Sequence, residues 1–238
     1  MLKTFTTPVV PPRRPNLSEE ELLERLRFGG LAANYEGALV YLGRGHYLNN
    51  AGGDHGENDR NTYDDAVALA EAYLDGDGRQ RLRDLTTYNA NVDPRAEGMN
   101  RAIGLPWPSL QPGVHEYRFG FHRGKYLALK PFTTVVVKRD GRTATERNAT
   151  INGHAGGVSW TWSWGCWTII ADQYGARTTS LVRTGSGFID RCWRMCLKTK
   201  QGRSLPKGRA GFRAFPDAGT DRPIPVVLVE EAAFRRAR

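Results

Sequence analysis

Short apolar segments separated by glycine, proline and polar turns recur through this chain, and they limit its fold more than any other feature. The 238 residues include 27 glycines and 13 prolines, more than a helical protein would use. The runs 37–42, 79–91 and 224–229 have the length and composition of strands. We therefore expect a mainly β protein with short helices, a β-rich α+β architecture.

Two hairpins have the clearest local signals. Asp140-Gly141 is a strong two-residue turn between the segments 133–139 and 142–147. A second hairpin is predicted from 115–121 to 126–129. In the first hairpin, the unbroken run of three valines at 135–137 favours a strand that is covered on both faces.

A short helix is predicted near the start. Ser18 and Glu21 form a capping box before leucines at helical spacing, and Gly29-Gly30 ends the segment. The proline-rich residues before it resemble an extended arm. We expect residues 1–30 to form an arm and helix, and residues 31–238 to form one main domain.

Other segments are less clear from the residue pattern. Residues 64–70 suit either a helix or a buried strand, because periodicity does not separate the two. The polar, glycine-rich stretch 49–60 predicts a loop, and 96–111 predicts a surface excursion. A short helix is expected near 172–177.

The net charge of +9 favours anionic surroundings such as nucleic acid, an acidic membrane surface or cell-wall polymers. The densest basic segment, 191–213, is interpreted as a solvated β-hairpin rather than a specific nucleic-acid site. No apolar run is long enough to span a membrane, so no membrane insertion is expected. No secretory signal is evident, so we expect a soluble protein made in a cytoplasm.

The candidate chemistry lies at His154 and Cys166, each in a glycine-rich turn. One interpretation is a nucleophilic cysteine with a histidine base, with amides around Gly165 and Cys166 receiving an oxyanion and Ser163 supporting them. The other is a buried thiol beside an ordinary loop histidine. From residue chemistry alone the second is favoured, because Cys–His spacing differs widely between folds.

The remaining cysteines, Cys192 and Cys196, do not suggest a disulfide framework or a zinc site. They are interpreted as small apolar residues. A zinc site built on His122 and His154 is disfavoured because no third ligand has convincing spacing. We therefore expect no metal and no cofactor.

The pattern His-x-Gly-Gly at 154–157, followed by Ser-x-Gly-Cys-x-Thr-Ile at 163–169, resembles the active-site segment of phage-encoded proteins related to L,D-transpeptidases, which have the YkuD-like fold. Further segments resemble this family in the right order, at 58–66, 88–94, 110–113, 117–122, 137–141 and 224–229. The resemblance implies an L,D-transpeptidase-like sheet sandwich behind the N-terminal arm and helix.

The resemblance also implies residue roles. Cys166 would be the nucleophile, His154 the base, and Ser163 and Gly165 would serve the oxyanion hole. A backbone carbonyl, rather than an aspartate, would orient the histidine. Residues that would line the substrate site are His122, Gly156, Gly157 and Trp164. For His122 a second base, a substrate contact and a plain turn residue all remain open, with the plain turn favoured.

The implied substrate is the stem peptide of bacterial peptidoglycan. If water accepts the acyl group, the peptide is cleaved, as by an endolysin. If an amine accepts it, the peptide is cross-linked. The protein would lie in the host cytoplasm before lysis, or in the virion beside other phage proteins, and act in the cell wall. The alternative is a virion structural protein that keeps the fold without catalysis.

Two departures from the family pattern concern the site. Gly153 replaces an apolar residue, and Trp164 replaces a small, polar or histidine residue. With Trp160, Trp162 and Trp167, the tryptophans suit either core packing or an aromatic wall of the substrate cleft.

Overall fold

The computed structural model describes residues 13–46, 63–94, 99–100, 105–147, 151–157, 163, 165–175, 186–199, 201 and 222–238. Strands dominate the regular structure, so the prediction of a mainly β protein with short helices is confirmed. The predicted loop at 49–60 lies outside the described residues. Among the described residues, no helix combines the length and the apolar character needed to cross a membrane.

Four helices and thirteen strands occur in the described part of the chain. The helices are α1 (Glu19–Phe28), α2 (Ala171–Tyr174), α3 (Phe188–Lys198) and α4 (Glu231–Arg236). The strands are β1 (Gly37–Arg44), β2 (Asp65–Leu74), β3 (Gln80–Asn91), β4 (Met99–Asn100), β5 (Leu105–Pro106), β6 (Ser109–Leu110), β7 (Gly113–His122), β8 (Tyr126–Pro131), β9 (Thr134–Arg139), β10 (Arg142–Arg147), β11 (Gly153–Ala155), β12 (Trp167–Ile169) and β13 (Ile224–Glu230).

Eight strands form one mixed sheet that closes on itself, in the order β1-β13-β7-β8-β11-β12-β3-β2. Two of its pairs are parallel, β1 with β13 and β11 with β12. Strands β10, β9 and β6 form a second sheet, and β4 pairs with β5. Closure of the main sheet pairs every one of its strands on both sides. The L,D-transpeptidase-like sheet sandwich stays a prediction.

The elements with strong local signals are where the sequence predicts them. The Ser18 hydroxyl accepts the N–H of Glu21, and the Glu21 carboxylate accepts the N–H of Ser18, so the capping box of α1 is confirmed. Both predicted hairpins form, β7 with β8 and β9 with β10. The short helix expected near 172–177 is α2, which ends at Tyr174.

Three segments correct the sequence interpretation. Part of the basic segment predicted as a hairpin is helical, because α3 runs from Phe188 to Lys198. In the valine run, Val135 and Val137 are buried while Val136 is partly exposed, so β9 is covered mainly on one face. The stretch 96–111 is not simply a surface excursion, since its strand β6 pairs with β9 and buries Leu110.

Strand β1 is buried along its whole length because two apolar clusters cover its two faces. Val40 and Leu42 belong to the cluster inside the closed sheet. Leu39 and Tyr41 face the other cluster, which also holds the leucines of α1. Helix α1 therefore packs directly on the outside of the closed sheet, and the division of the chain at residue 30 stays a prediction.

An ion-pair network joins the two ends of the described chain on this outer face. The Arg25 guanidinium donates to both carboxylate oxygens of Glu231, at 2.8 and 3.2 Å, and the Tyr41 hydroxyl donates to the same carboxylate. Burial alone would raise the pKa of Glu231, but the His46 imidazole 3.9 Å away and the hydrogen bonds from Arg25 and Tyr41 outweigh it and lower the pKa to about 2. The ionised carboxylate therefore stabilises the docking of α1 and α4.

We expect this network to make folding sensitive to acid. The folded-state pKa lies below the ordinary value of 4.5, so its contribution is present above pH 4.5 and is lost as the pH falls toward 2. At neutral pH the contribution is about 3 kcal/mol. In Glu231→Gln, the free energy of unfolding measured with urea should no longer fall between pH 4.5 and pH 2 because of this carboxylate. Glu20 is exposed, so Glu20→Gln should keep the pH dependence of the parent. Equal pH profiles in both variants would contradict the assignment.

Candidate functional site

The parallel pairing of β11 with β12 brings the two glycine-rich turns together. Gly153 lies opposite Trp167 and His154 lies opposite Thr168, so the histidine is two register positions from Cys166, the residue before β12. Strand β8 lies on the other side of β11 and presents Tyr126. The closed sheet therefore places the histidine and the cysteine side by side, although twelve residues separate them in the chain.

The tautomer of His154 follows from its backbone contact. Its Nδ1 lies 2.8 Å from the carbonyl oxygen of Ala155, which can only accept, so Nδ1 carries the proton. The Tyr126 hydroxyl lies 3.2 Å from the same nitrogen. Nε2 is therefore the ring atom with the free lone pair, which is the state that a general base needs. A backbone carbonyl orients the ring, as the resemblance implies.

Cys166 is buried, with 6% of its surface exposed. Its sulfur accepts a hydrogen bond from the backbone N–H of Asn152 at 3.3 Å. The Asn152 side-chain amide lies 3.4 Å from Nδ1 of His122. Sequence reasoning assigned no role to Asn152, although it directly precedes Gly153-His154, because nothing in the chain indicates that its amide meets a sulfur fourteen residues later.

His122 is part of the same cluster, and its role as a second base, a substrate contact or a plain turn residue stays a prediction. Its ring stacks on that of His154, with centroids 4.0 Å apart and an interplanar angle of 27°. One side-chain nitrogen of His122, one of His154 and the sulfur of Cys166 lie within 4.8 Å of one another. Cys166 is therefore close enough to His122 and His154 to be a third ligand, although the spacing in the sequence does not indicate it, and the absence of a metal stays a prediction.

The turn before the cysteine is tightly held. The Ser163 hydroxyl donates a hydrogen bond to the backbone carbonyl of Cys166 and so fixes the backbone of the turn. Gly165 has φ +113°, and a Cβ there would lie 2.7 Å from the carbonyl oxygen of Pro108. Only glycine suits this position, because both the backbone conformation and the space exclude a side chain. The oxyanion-hole roles of Ser163 and Gly165 stay predictions.

The glycine turn that follows His154 packs against Tyr63. The Tyr63 hydroxyl donates to the carbonyl of Gly157 at 2.7 Å, and a Cβ on Gly156 would overlap that hydroxyl. The overlap explains the glycine at 156 by packing, while the roles of Gly156 and Gly157 in substrate binding stay predictions. Trp164 lies outside the described residues.

The departure at Gly153 has a steric explanation. The six-membered ring of Trp167 occupies the space that a Cβ on Gly153 would need. Trp167 is fully buried, and its indole makes edge contacts with Tyr117 and Phe188 at 6.1 and 5.8 Å between centroids. The glycine and the large indole therefore compensate each other, and Trp167 is a core residue rather than part of a cleft wall.

Burial favours the neutral forms of His122, His154 and Cys166. It lowers the pKa of His154 to about 3, with help from the neighbouring His122 and Arg123 and against the effect of the Ala155 carbonyl. It also lowers the pKa of His122 to about 4, and it raises the pKa of the Cys166 thiol to about 11 despite the Asn152 N–H and Arg123. The site thus holds a thiol beside neutral imidazoles. Because burial disfavours each charged form, a thiolate or an imidazolium would need an opposite charge close to it.

No protein-family model, curated protein or solved structure matches the chain. The resemblance to L,D-transpeptidase-like proteins therefore stays a prediction from the sequence motifs. The arrangement brings together a buried thiol, an imidazole oriented by a backbone carbonyl, and a second imidazole stacked on the first.

Proposed function

We propose that this protein is a phage-encoded cell-wall enzyme of L,D-transpeptidase-like fold, which acts on peptidoglycan stem peptides through an acyl-enzyme on Cys166. The observation that carries the proposal is the state of His154. Its Nδ1–H is held by the Ala155 carbonyl, so its free Nε2 belongs to a ring that lies beside the cysteine sulfur. This is the arrangement that activates a thiol nucleophile.

The reaction would proceed by two acyl transfers. The sulfur attacks the scissile carbonyl carbon while the thiol proton passes to Nε2 of His154. The C–N bond then breaks, His154 returns the proton to the leaving amine, and a thioester remains on Cys166. Water attacks the thioester after giving a proton to His154. The C–S bond breaks, and His154 returns that proton to the sulfur, so the thiol is restored as the carboxylic acid leaves.

The charge distribution of the site suits the anionic intermediate. Burial makes an isolated imidazolium at His154 unfavourable. The developing oxyanion would lie close to the imidazolium, and each charge would stabilise the other in a site with little water. The amides of Gly165 and Cys166 are the candidate donors to the oxyanion, since the turn that carries them is held by Ser163.

The substrate class rests on the motif resemblance and on charge. A net charge of +9 would draw the protein to the anionic polymers of a bacterial envelope. We propose peptidoglycan as the partner, with hydrolysis at a bond between an L-centre and a D-centre, by an endolysin or a virion-carried enzyme. No specific nucleic acid and no cofactor are part of the proposal.

The direct test is digestion of purified sacculi followed by mass spectrometry of the soluble products. Hydrolysis should release stem-peptide fragments with a new carboxylate at the L-centre, and one oxygen of that carboxylate should carry ¹⁸O when the reaction is run in labelled water. Fragments joined to an added D-amino acid would identify an amine as the acceptor instead. Sacculi that release no fragments would refute the proposed activity.

A second candidate function is supported by burial. Cys166 and His154 are 6% and 7% exposed, and an acyl-enzyme needs a substrate carbonyl at the sulfur. A virion structural protein that keeps this fold without catalysis would tolerate such a closed site.

Thiol accessibility separates the two candidates. An active site should allow Cys166 to react with iodoacetamide in the native protein near neutral pH, and peptide mapping should find the label there. The structural alternative predicts labelling of Cys166 only after unfolding, together with Cys192 and Cys196, which are also buried. These two cysteines serve as internal controls, because their labelling reports loss of the fold.

A further inference from the structure

The cluster of His122, His154 and Cys166 has a composition that the proposed acyl transfer does not require. A cysteine nucleophile needs one base, but this site contains two imidazoles around one sulfur. The three residues come from separate places in the closed sheet: the end of β7, the middle of β11 and the residue before β12. Their ligand-type atoms nevertheless lie within 4.8 Å of one another.

These separations are close to those of a metal site. Zinc binds sulfur at about 2.3 Å and imidazole nitrogen at about 2.0–2.1 Å, so two nitrogens and one sulfur in tetrahedral positions lie roughly 3.3–3.6 Å apart. Because the ligand-type atoms of the cluster lie within 4.8 Å of one another, they need to approach by at most about 1.5 Å, which side-chain rotation can supply. Two nitrogens and one thiolate also form a ligand set that suits zinc or cobalt rather than magnesium or calcium.

The surroundings already orient these side chains. The Ala155 carbonyl holds Nδ1 of His154, which leaves Nε2 as its ligand atom. Such a carbonyl contact to the non-ligating nitrogen is typical of metal-bound histidines. The Asn152 side chain contacts His122. Arg123 and Lys130 place positive charge near His122, and a bound thiolate would offset part of it.

We propose that His122, His154 and Cys166 form a binding site for a thiophilic divalent cation such as Zn²⁺, with water in the fourth position. Binding replaces the thiol proton: the S–H bond breaks, a metal–sulfur bond forms, and one proton is released to solvent. Metal binding itself does not depend on catalysis. We also expect the bound metal to inhibit the enzyme, because a metal-bound sulfur and a metal-bound Nε2 cannot perform the first acyl transfer. This expected inhibition rests on the proposed function.

Cobalt provides the test, since Co²⁺ bound to thiolate has a near-ultraviolet charge-transfer band that it lacks when bound only to histidine. Titration of the whole chain with CoCl₂ should produce this band with one equivalent of metal, and ZnCl₂ should remove it. The band should vanish in Cys166→Ala. In His122→Asn the apparent affinity should fall at least about 10-fold, since even outer contacts of a metal site contribute about 10–100-fold.

His46→Gln is the matched control, because His46 lies outside the cluster and should leave the titration unchanged. Thermal melts with a chelator identify any variant that does not fold, and Cys166→Ser provides a second sulfur-free variant. A parent chain without the band, or a band that is equally strong in His122→Asn, would overturn the proposal.

The test separates the metal site from the enzyme, because cobalt binding is measured without substrate. A chain that shows the band but leaves sacculi intact would refute the proposed activity and support the metal site. A chain that digests sacculi but shows no band would overturn the metal site alone. If both are present, one equivalent of Zn²⁺ should stop digestion and a chelator should restore it.

Discussion

Replacing Cys166 with alanine is expected to reduce the release of stem-peptide fragments by at least about 10³-fold, because the nucleophile that forms the acyl-enzyme is gone. His154→Gln should have an effect of similar size, since the thiol then has no group to take its proton. The double variant should be little worse than either single variant, because residues that act as one unit are strongly non-additive. Initial rates on purified sacculi, measured by mass spectrometry, check all three.

The matched control for this series is Cys192→Ala. Cys192 is another buried cysteine, but it lies on α3 and does not belong to the His122–His154–Cys166 cluster. It should retain the parent's activity once a thermal melt shows that it is folded. If Cys166→Ala and His154→Gln digest sacculi as fast as Cys192→Ala, the assigned mechanism is wrong. If parent and control are active and the two site variants are inactive, the acyl-enzyme mechanism is supported.

Gly153→Ala is expected to lower the free energy of unfolding by about 3 kcal/mol, at the upper end of the usual cost of overpacking a core. The new methyl group would overlap the ring of Trp167, which is fully buried and held between Tyr117 and Phe188. Since Gly153 directly precedes His154 on β11, a shift of the strand would also disturb the site. Urea unfolding gives the stability change.

Two further variants make this prediction specific. Gly76→Ala is the matched control, because a Cβ at Gly76 meets no atom within 4 Å, and it should change stability by less than about 0.5 kcal/mol. Trp167→Leu should itself be destabilising, but combined with Gly153→Ala it should cost at least about 1 kcal/mol less than the sum of the two, because the overlap is relieved. Strictly additive effects would show that the two residues do not compete for the same space.

Most of the secondary structure was predictable because its signals are local. The Ser18 capping box and the Asp140-Gly141 turn depend on neighbouring residues, and both form as predicted. Residues 64–70 could not be assigned to helix or strand from the sequence. Most of them lie in β2, which is buried on both faces, so its apolar residues do not alternate with polar ones.

Helix α3 was predictable in principle, and the error has a clear cause. Phe188, Cys192, Met195 and Cys196 recur at helical spacing and are all buried. The prediction of a hairpin gave more weight to the basic residues between them than to this periodicity. Charge shows which face of an element is solvated, but the spacing of the apolar residues identifies the type of element.

The sequence alone determined the β-rich class, the capped first helix and the two hairpins, because each depends on residues that are close together in the chain. It also indicated His154 and Cys166 as candidate residues, but the pairing of β11 with β12 brings them together. The tertiary structure decided which side chains meet. His122, Asn152 and Tyr126 join the site through the register of β7, β8, β11 and β12, and Gly153 is explained by Trp167 across a parallel strand pair. Such contacts arise from the closure of the sheet, which joins residues distant in sequence, so no local pattern could predict them.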